Sequence, residues 1–383
     1  MWKYLARRLL QMMVTLILFQ AITFFLIDAQ PGDIADLLTN DPNIPPEERT
    51  RLKAELGLDR PVHERFLRYI ANFYRGNLGV SFEEYPRPVS EIIIQRLPRT
   101  VVLFLSASII SFWAGFVTGK VLAWRRGGWL EYTSTIAGVT LYTVFTPWFA
   151  LMMIWLFAVV LGLLPAGKFL DPLEWIGAPV GANVVFIRMI LTALGALIIM
   201  FIGFLLSNRA APRRRPAIRI ASVLLGVVLL VLYWVISGLS PYAWDILSHL
   251  ILPVLTVTLI SYGGNMLLTR TTMLETLRED YILTARAKGL PEKAVRDKHA
   301  ARNALLPVWT GLLFSIASAV SGGIITESVF SWKGIGLTLL QASTVADIPV
   351  AMGALTVIGI LTLVSHLVAD IGYAFLDPRI RYH

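Results

Sequence analysis

Residues 281–307 read YILTARAKGLPEKAVRDKHAARNALLP. The stretch carries seven Lys, Arg or His residues against two acids, and long apolar runs flank it on both sides. The residue pattern predicts a helix over 281–288, a turn from Gly289 to Pro291, and a second helix over 294–304. An ordinary basic loop could be equally charged, but such a loop rarely needs two short helices separated by a glycine turn. The segment is therefore a candidate surface for a neighbouring protein.

The composition around this segment is that of a membrane protein. Of 383 residues, 56% are hydrophobic and 15% are charged, whereas a soluble domain has about 25% charged residues. Apolar windows of roughly 20 residues recur along the chain. The first is expected to be a retained helix and not a cleaved signal peptide, because its apolar run is long and the cleavage pattern after Phe25 is weak. We predict eight transmembrane helices, near residues 9–27, 98–122, 136–162, 184–206, 217–237, 250–269, 305–326 and 351–374.

The distribution of Lys and Arg predicts the orientation of these spans. A net charge of +9 could indicate a nucleic-acid partner, but in a membrane protein it first indicates basic cytoplasmic loops. With the N-terminus inside, Arg125–Arg126, 213–215 and 281–302 all lie on the inner side. The short outer loops 163–183 and 327–350 hold one Lys each. We therefore predict cytoplasmic N- and C-termini and no nucleic-acid partner.

A water-facing region is predicted over 28–97, on the outer side. Its first helix follows Pro45-Pro46 and ends at Gly57. A second helix follows Pro61 and ends at Gly76, with one apolar side formed by Phe66, Ile70, Phe73 and Tyr74. The region is either a solvated loop with helical turns or a docking surface for an external partner.

Signals for catalysis and metal binding are weak. The chain has no cysteine, which excludes disulfides, cysteine metal sites and thiol nucleophiles. Residues 162–169 nearly match a phosphate-binding loop, but Phe169 replaces the hydroxyl that would hold magnesium and no strand precedes the loop. The five histidines are dispersed along the chain. We predict no catalytic site, no metal site and no cofactor bound by this chain.

Several charged side chains lie in or beside the predicted spans. His366 and Asp370 share one face of the last span, and we favour a structural pair over a proton relay. Glu327 and Lys333 lie at the outer mouth, where they either form a gate or cap helix ends. The aliphatic pair of helices at 184–237 is predicted to be an inserted, lipid-facing hairpin.

A set of motifs resembles one known family: the inner-membrane permease subunits of binding-protein-dependent ABC importers, of the oligopeptide/dipeptide/nickel type. The decisive residues are Thr284-Ala285-Arg286-Ala287-Lys288-Gly289-Leu290, followed by His299 and Arg302-Asn303-Ala304-Leu305-Leu306-Pro307. Further landmarks match in order, namely Pro31-Gly32-Asp33, Leu56-Gly57-Leu58-Asp59-Arg60-Pro61, Gly76-Asn77-Leu78-Gly79-Val80-Ser81, Arg96-Leu97-Pro98-Arg99-Thr100, the run 330–336, and the ending 370–381.

The resemblance implies an all-α, type I ABC importer permease fold, with six core helices and here the inserted hairpin 184–237. The implied regions are 1–27 (first helix), 28–97 (external) and 98–383 (permease core), with a coupling loop at 270–304. The residues implied to couple the chain to an ATPase are Tyr281, Thr284, Ala285, Arg286, Ala287, Lys288, Gly289, Leu290, Arg302, Asn303 and Pro307. Independently of the resemblance, Glu327, Trp332 and Lys333 are candidate residues of an outer gate.

The same resemblance implies the partners and the activity. The partners would be a second homologous permease subunit, two cytoplasmic ATPase subunits that hold ATP and Mg, an external solute-binding protein, and the lipid bilayer of a prokaryotic inner membrane. The cargo would be peptides or a related small solute, moved inward by alternating access. The chain itself would not be an enzyme.

Two features depart from the family pattern. Leu283 stands where the general importer signature has an acid, and the hairpin raises the span count from six to eight. The main rival function is a secondary transporter driven by an ion gradient, which would predict repeat symmetry and ionisable residues near the membrane midplane. Neither feature is evident in the sequence. A membrane-embedded enzyme is a more distant alternative, because no nucleophile is paired with a base.

Overall fold

The fold is known from a computed structural model that describes residues 2–29, 47, 60–321 and 323–376, with side chains described for 6–29, 47, 60–316 and 323–371. Within these residues the regular secondary structure is helical, apart from an isolated antiparallel bridge between Val80 and Pro88. The predicted all-α class is therefore confirmed. The predicted helix that begins at Pro45-Pro46 lies almost wholly outside the described residues.

The described part of the chain contains helices of very different lengths. In chain order they are α1 Trp2–Asp28, α2 Val62–Tyr74, α3 Val89–Trp124, α4 Trp129–Thr143, α5 Thr146–Ile154, α6 Ala182–Arg209, α7 Arg215–Ile236, α8 Ser240–Thr276, α9 Asp280–Ala287, α10 Glu292–Ala294, α11 Ala301–Ser321, α12 Ile324–Val329, α13 Ile335–Thr344 and α14 Ile348–Leu376. π-helical turns at Trp155–Val160 and Val295–Ala300 continue α5 and precede α11.

Six of the described helices are long and apolar enough to cross a bilayer: α1, α3, α6, α7, α8 and α14. The pair α4–α5, with the π-helical turn to Val160, makes a seventh if it counts as one span. The remaining predicted span, 305–326, corresponds mainly to α11, whose side chains are described as far as Ile316. The sequence therefore located every long apolar helix, and the lengths of α3 and α8 exceed the predicted spans at both ends.

The third predicted span, 136–162, is wrong as a single straight helix. It is broken between Thr143 and Thr146, and the two halves are bent by 105°. Val144 and Phe145 are extended, with ψ values of 141° and 108°. Pro147 explains the break, because proline has no N–H to donate to the carbonyl four residues earlier, here that of Thr143 at the end of α4, and is well placed in the first turn of a new helix.

The chain forms two compact units. The first comprises Met1–Trp155 and Pro253–His383, and the second comprises Leu156–Leu252. The second unit contains the predicted inserted hairpin 184–237, seen as α6 and α7, together with the loop before it and the first residues of α8.

In the first unit, glycines allow α8 to approach its neighbours at backbone contact. A Cβ added at Gly263 of α8 would overlap the carbonyl oxygen of Gly138 in α4. At Gly119 of α3, an added Cβ would lie 2.6 Å from the Met266 carbonyl oxygen and 2.7 Å from the Thr269 Cβ. Small residues at helix crossings are typical of membrane bundles, where dispersion contacts replace the hydrophobic driving force. These crossings bring α3 and α4 against α8.

The amphipathic helix α2 packs on α1 and α14. Phe66 contacts Phe24, with ring centroids 5.5 Å apart, and Arg65 pairs with Asp28 at the end of α1. The Tyr69 hydroxyl is 2.9 Å from the Thr356 hydroxyl. The helix predicted after Pro61 is thus present, and its aromatic side packs on α1.

In the second unit, α6 and α7 form a tight antiparallel hairpin. A Cβ added at Gly203 of α6 would overlap the Ser222 side chain of α7, and one at Gly226 would lie 3.2 Å from the Ala196 carbonyl oxygen. The loop before the hairpin is held by buried Asp245, whose carboxylate accepts hydrogen bonds from the Trp175 indole (2.7 Å) and the Asp171 amide (3.2 Å).

Candidate functional site

The predicted coupling segment folds as helix, turn, helix. One face of α9 is buried, because Ile282 and Ala285 are three residues apart and so share a side of the helix. They pack with Val295, Ala300 and other buried residues into an apolar cluster that also includes Phe112, Phe116, Ala123, Met273, Ala301, Ala304, Val308 and Leu312. The segment is therefore anchored on the ends of α3, α8 and α11.

The opposite face of α9 and the following turn are exposed. Gly289 has φ +73°, a left-handed conformation that favours glycine, and its amide donates to the Arg286 carbonyl at 2.9 Å. The predicted residues on this surface are Tyr281, Thr284, Arg286, Ala287, Lys288, Gly289 and Leu290, and all are exposed, as is Leu283. Ala285 differs from the other predicted residues, because its side chain is buried and faces the protein's own core.

The second half of the segment presents three more of the predicted residues. Arg302, Asn303 and Pro307 are exposed on the first turns of α11. The Asn303 amide donates to the Tyr281 hydroxyl at 2.6 Å, which ties α9 to α11. The exposed residues of 281–290 and 302–307 thus belong to one connected substructure.

An ion-pair network connects this segment to α3. Asp297 accepts two hydrogen bonds of 2.9 Å from Arg296, and Lys120 of α3 lies 3.1 Å from the same carboxylate. The Arg296 guanidinium, with Lys120 beside it, holds the pKa of Asp297 well below its usual range. Sequence reasoning missed Lys120, because nothing in the local pattern predicts which helix end the loop will meet.

A cleft of about 380 Å³ opens beside α9. Arg286 lies across it: its guanidinium is 3.4 Å from Glu292 and 5.7 Å from the Trp124 ring. The other lining residues are Ala123, Arg126, Leu274, Leu277 and Arg278. The cleft therefore combines an apolar wall with three arginines, and it is bounded by α3, α8 and both halves of the coupling segment.

Within the described residues, the predicted gate residues Glu327 and Lys333 do not form an ion pair with each other. Lys333 is exposed, whereas Glu327 is fully buried and Trp332 is packed inside. Glu327 accepts hydrogen bonds from the Thr100 hydroxyl (2.7 Å) and from the Leu337 amide at the start of α13 (2.9 Å). Of the two alternatives, the contacts therefore favour a helix cap, because the carboxylate satisfies amides that the first turn of α13 leaves unpaired.

The Glu327 region is fixed further by α3. The Trp332 indole donates to the Arg99 carbonyl at 3.2 Å, and Arg99 donates in turn to the Lys333 carbonyl at 3.3 Å. Burial raises the pKa of Glu327 to about 7, although its hydrogen bonds act in the opposite direction.

Sequence reasoning missed Asp347, which is 2% exposed. Its carboxylate accepts hydrogen bonds from the Ser81 hydroxyl and from the amides of Phe82 (3.1 Å) and Glu83 (3.2 Å). The same side chain accepts from the Val350 amide in the first turn of α14. An acid just before an apolar helix is a sequence signal for a helix cap. The contact of Asp347 with the turn at 81–83 has no such signal, because the turn lies far away in the sequence.

The predicted pair on the last span has a different partner. Asp370 lies 3.3 Å from the Arg8 guanidinium of α1, and the His366 imidazole is 2.7 Å from the Thr362 carbonyl of its own helix. The structural interpretation is retained, but Asp370 binds α1 and not His366.

Comparison with known proteins identifies the family. Residues 216–382 match the profile of the family described as "Binding-protein-dependent transport system inner membrane component", and residues 1–104 match the N-terminal profile of the same kind of protein. The chain belongs to this family of permeases. The match over residues 216–382 includes nearly all of α7. The motifs that carry the resemblance include none from 184–237.

Full-length relatives agree with this assignment. The permease is 31% identical to the di/tripeptide transport system permease protein of Pseudomonas aeruginosa, over 100% of this chain and 99% of the relative. It is 30% identical to the dipeptide transport system permease protein of Alkalihalophilus pseudofirmus, over 100% of both. It is 29% identical to the oligopeptide transport system permease protein of Bacillus subtilis, over 99% of both. The permease is thus a multi-pass inner-membrane component with the type I ABC permease fold.

Proposed function

We propose that this permease moves peptides into a prokaryotic cell by alternating access, driven by two separate ATPase subunits that bind ATP and Mg. A second homologous permease subunit completes the pathway, and an external solute-binding protein delivers the cargo. The three relatives described above are named as di/tripeptide, dipeptide and oligopeptide permeases. These names support peptides as the cargo class. Both termini lie in the cytoplasm in this proposal, as the Lys/Arg bias predicts.

The observation that carries the proposal is the two-faced helix α9. Its inner face, Ile282 and Ala285, is fully packed on the permease, while its outer face presents Leu283, Ala287 and Lys288 to the surroundings. Leu283 is 59% exposed at a position that lies outside the predicted spans. A helix that is rigidly seated and yet displays apolar and basic side chains is suited to bind a groove on another protein.

Force applied to α9 has a defined route into the membrane helices. The Lys120–Asp297 pair joins the segment to α3, and the Thr272 hydroxyl of α8 lies 3.4 Å from the Ala304 carbonyl of α11. Because the apolar cluster is packed like any protein interior, it moves as one body when the ATPases close. We infer that α3, α8 and α11 tilt together and change which side of the pathway is open.

The experiment compares one substitution at two positions of α9. Ala287→Trp adds bulk on the exposed face, so the permease should remain as stable as the wild type while ATP-driven peptide uptake in reconstituted vesicles falls at least about tenfold. Ala285→Trp adds the same bulk inside the packed cluster, so it should lower the unfolding temperature. Ala193→Trp, on an exposed position of α6, is the matched control and should change neither quantity.

Three measurements separate the alternatives: unfolding temperature, ATPase activity of the assembled complex, and peptide uptake. The proposal predicts that Ala287→Trp retains folded permease and loses the link between hydrolysis and uptake. Wild-type uptake by Ala287→Trp would contradict the coupling role of α9. Uptake driven by a proton or sodium gradient without ATP would instead support the secondary-transporter alternative.

A further inference from the structure

The turn that joins α6 to α7 is the most basic short stretch of the second unit. Both helices are long and apolar enough to cross a membrane, so their connection, 210–214, lies at a membrane surface. Five arginines fall between positions 209 and 219 of the sequence: Arg209, Arg213, Arg214, Arg215 and Arg219. We call these five residues the arginine turn. Each of the five side chains is exposed.

The hairpin contains no acidic residue that could neutralise the arginine turn. Between Glu174 and Asp245 the sequence holds no Asp or Glu at all. Within the described part of the chain, the side chains of Arg209, Arg213 and Arg214 make no hydrogen bond or ion pair. Their three positive charges therefore face outward, and no acidic side chain of the hairpin balances them.

Two of the arginines hold the turn in shape. Arg219 donates to the Ser207 hydroxyl (3.0 Å) and to the Asn208 amide oxygen (3.1 Å), and its guanidinium lies 4.8 Å from the Phe204 ring. Arg215 donates to the Ala210 carbonyl at 3.2 Å. The arginine turn is thus an ordered surface on which Arg215 and Arg219 bind protein atoms and the other three do not.

The helices that lead to the turn are suited to a lipid environment. Leu197, Phe201 and Leu224 are between 59% and 61% exposed, and many further aliphatic side chains of α6 and α7 are similarly exposed. The glycine contacts at Gly203 and Gly226 hold the two helices close together, which concentrates the arginines at one end. Acyl chains along the hairpin would place their head groups beside the arginine turn.

We propose that the arginine turn is a binding site for the phosphate of anionic phospholipid head groups. Guanidinium groups bind phosphate oxygens through charge-assisted, often paired, hydrogen bonds. Clusters of four to eight Lys or Arg residues directly outside a membrane helix attract anionic lipid. The inserted hairpin then serves as a lipid anchor for the permease, a role that is independent of the coupling proposed for α9.

The test uses the full-length protein, in its complex if the complex is needed for extraction. The protein is reconstituted in nanodiscs of equal parts phosphatidylglycerol and phosphatidylcholine, and the lipids that remain bound after gentle extraction are counted by mass spectrometry. The triple variant Arg209→Gln, Arg213→Gln, Arg214→Gln spares Arg215 and Arg219, so the turn stays folded. We expect its preference for phosphatidylglycerol to fall on the order of tenfold.

Two control variants separate the position of the charge from its chemistry. Arg188→Gln removes a charge near the opposite end of α6 and should leave the preference unchanged. Replacing the same three turn residues by lysine keeps the charge and should retain most of the preference, with a partial loss where paired hydrogen bonds matter. The preference of the wild type should also weaken as salt is raised.

The outcomes separate a lipid site from other roles. Loss of phosphatidylglycerol in the glutamine variant, with retention in the two controls, supports the proposal. Equal retention of phosphatidylglycerol by the glutamine variant and the wild type overturns it. Unchanged lipid together with reduced co-purification of an ATPase subunit also overturns it, because the arginine turn would then be a protein contact.

Discussion

Two polar regions of the permease use charge in opposite ways. In the 281–307 segment most charged side chains are exposed, and the apolar residues beneath them hold the structure. In the region from α12 to the start of α14, the acids Glu327 and Asp347 are buried and each accepts several hydrogen bonds. Exposed charges contribute little to stability, whereas a buried and well-bonded carboxylate leaves several groups unpaired when it is removed. The first region is therefore suited to the partner contact proposed above, and the second fixes the geometry of the chain.

The strongest test of this contrast is Asp347→Ala. It removes the acceptor of the Ser81 hydroxyl and of the amides of Phe82 and Glu83. Leaving these donors buried and unpaired should destabilise the permease by about 3 kcal/mol. The measurement is thermal unfolding of purified protein in detergent. Glu83→Gln, at an exposed side chain of the same turn, should unfold like the wild type. An unchanged unfolding temperature for Asp347→Ala would mean that this carboxylate does not hold the turn.

A second test uses pH at Glu327. Because burial raises its pKa to about 7, the folded protein binds this proton more tightly than the unfolded chain does. The stability associated with the protonated form is fully present below the ordinary pKa of 4.5 and is lost as pH rises towards 7. Glu327→Gln should remove this loss, which is on the order of 3 kcal/mol. The stability of the variant relative to the wild type should therefore increase between pH 5 and pH 8.

The readout is the difference in unfolding temperature between the two proteins at each pH, which cancels the other titrating groups. A constant difference between wild type and Glu327→Gln across the range would show that Glu327 keeps an ordinary pKa.

A smaller effect is expected at Asp297, whose side chain is partly exposed and is neither buried like Asp347 nor fully exposed. Asp297→Asn weakens the contacts with Arg296 and Lys120 and should lower stability by about 1 kcal/mol at neutral pH. Since the pKa of Asp297 lies well below its usual range, this contribution is present above the ordinary value of 3.8 and shrinks as pH falls below it. Unfolding at pH 7 and pH 3.5 measures the difference, and Lys298→Gln is an exposed control in the same turn. A loss that is equal at both pH values would contradict the network.

The smallest stability effect is predicted for Lys288→Gln on the exposed turn. Removal of an exposed charge should change the free energy of unfolding by less than about 0.5 kcal/mol. If the turn binds an ATPase subunit, the same variant should weaken assembly and make it less sensitive to salt. Co-purification of the ATPase at low and high salt measures this. A marked loss of stability together with normal assembly would reverse the contrast between the two regions.

Sequence reasoning succeeded where one short pattern decides the structure. The apolar runs located the long helices because hydropathy and length are local properties. The glycine turn at Gly289 followed from the residues around it. The break before Pro147 had a local signal as well, but continuous hydrophobicity through 145–156 favoured a single span. A hydropathy pattern reports burial in lipid and not the direction of the helix axis.

The features that could not be predicted depend on contacts between distant parts of the chain. Asp347 and Ser81 are in contact although they are 266 residues apart in the sequence. Asp370 and Arg8 are likewise distant in the sequence and close in space. The burial of Ala285 depends on which side of α9 meets α3 and α8, and an Ala-rich helix does not reveal its inner face. Small residues in a sequence are compatible both with an exposed contact surface and with a packed core.

The backbone contact between α4 and α8 at Gly138 and Gly263 has a mechanical consequence. At Gly263 the closest approach is to the backbone of α4, while the Met266 side chain packs against Gly138, so peptide groups and one flexible side chain set the distance between the two helix axes. A single methyl group on Gly263 would instead overlap the neighbouring carbonyl and push the axes apart. Position 263 is therefore a spacer of fixed size, where only glycine keeps α4 and α8 at this separation.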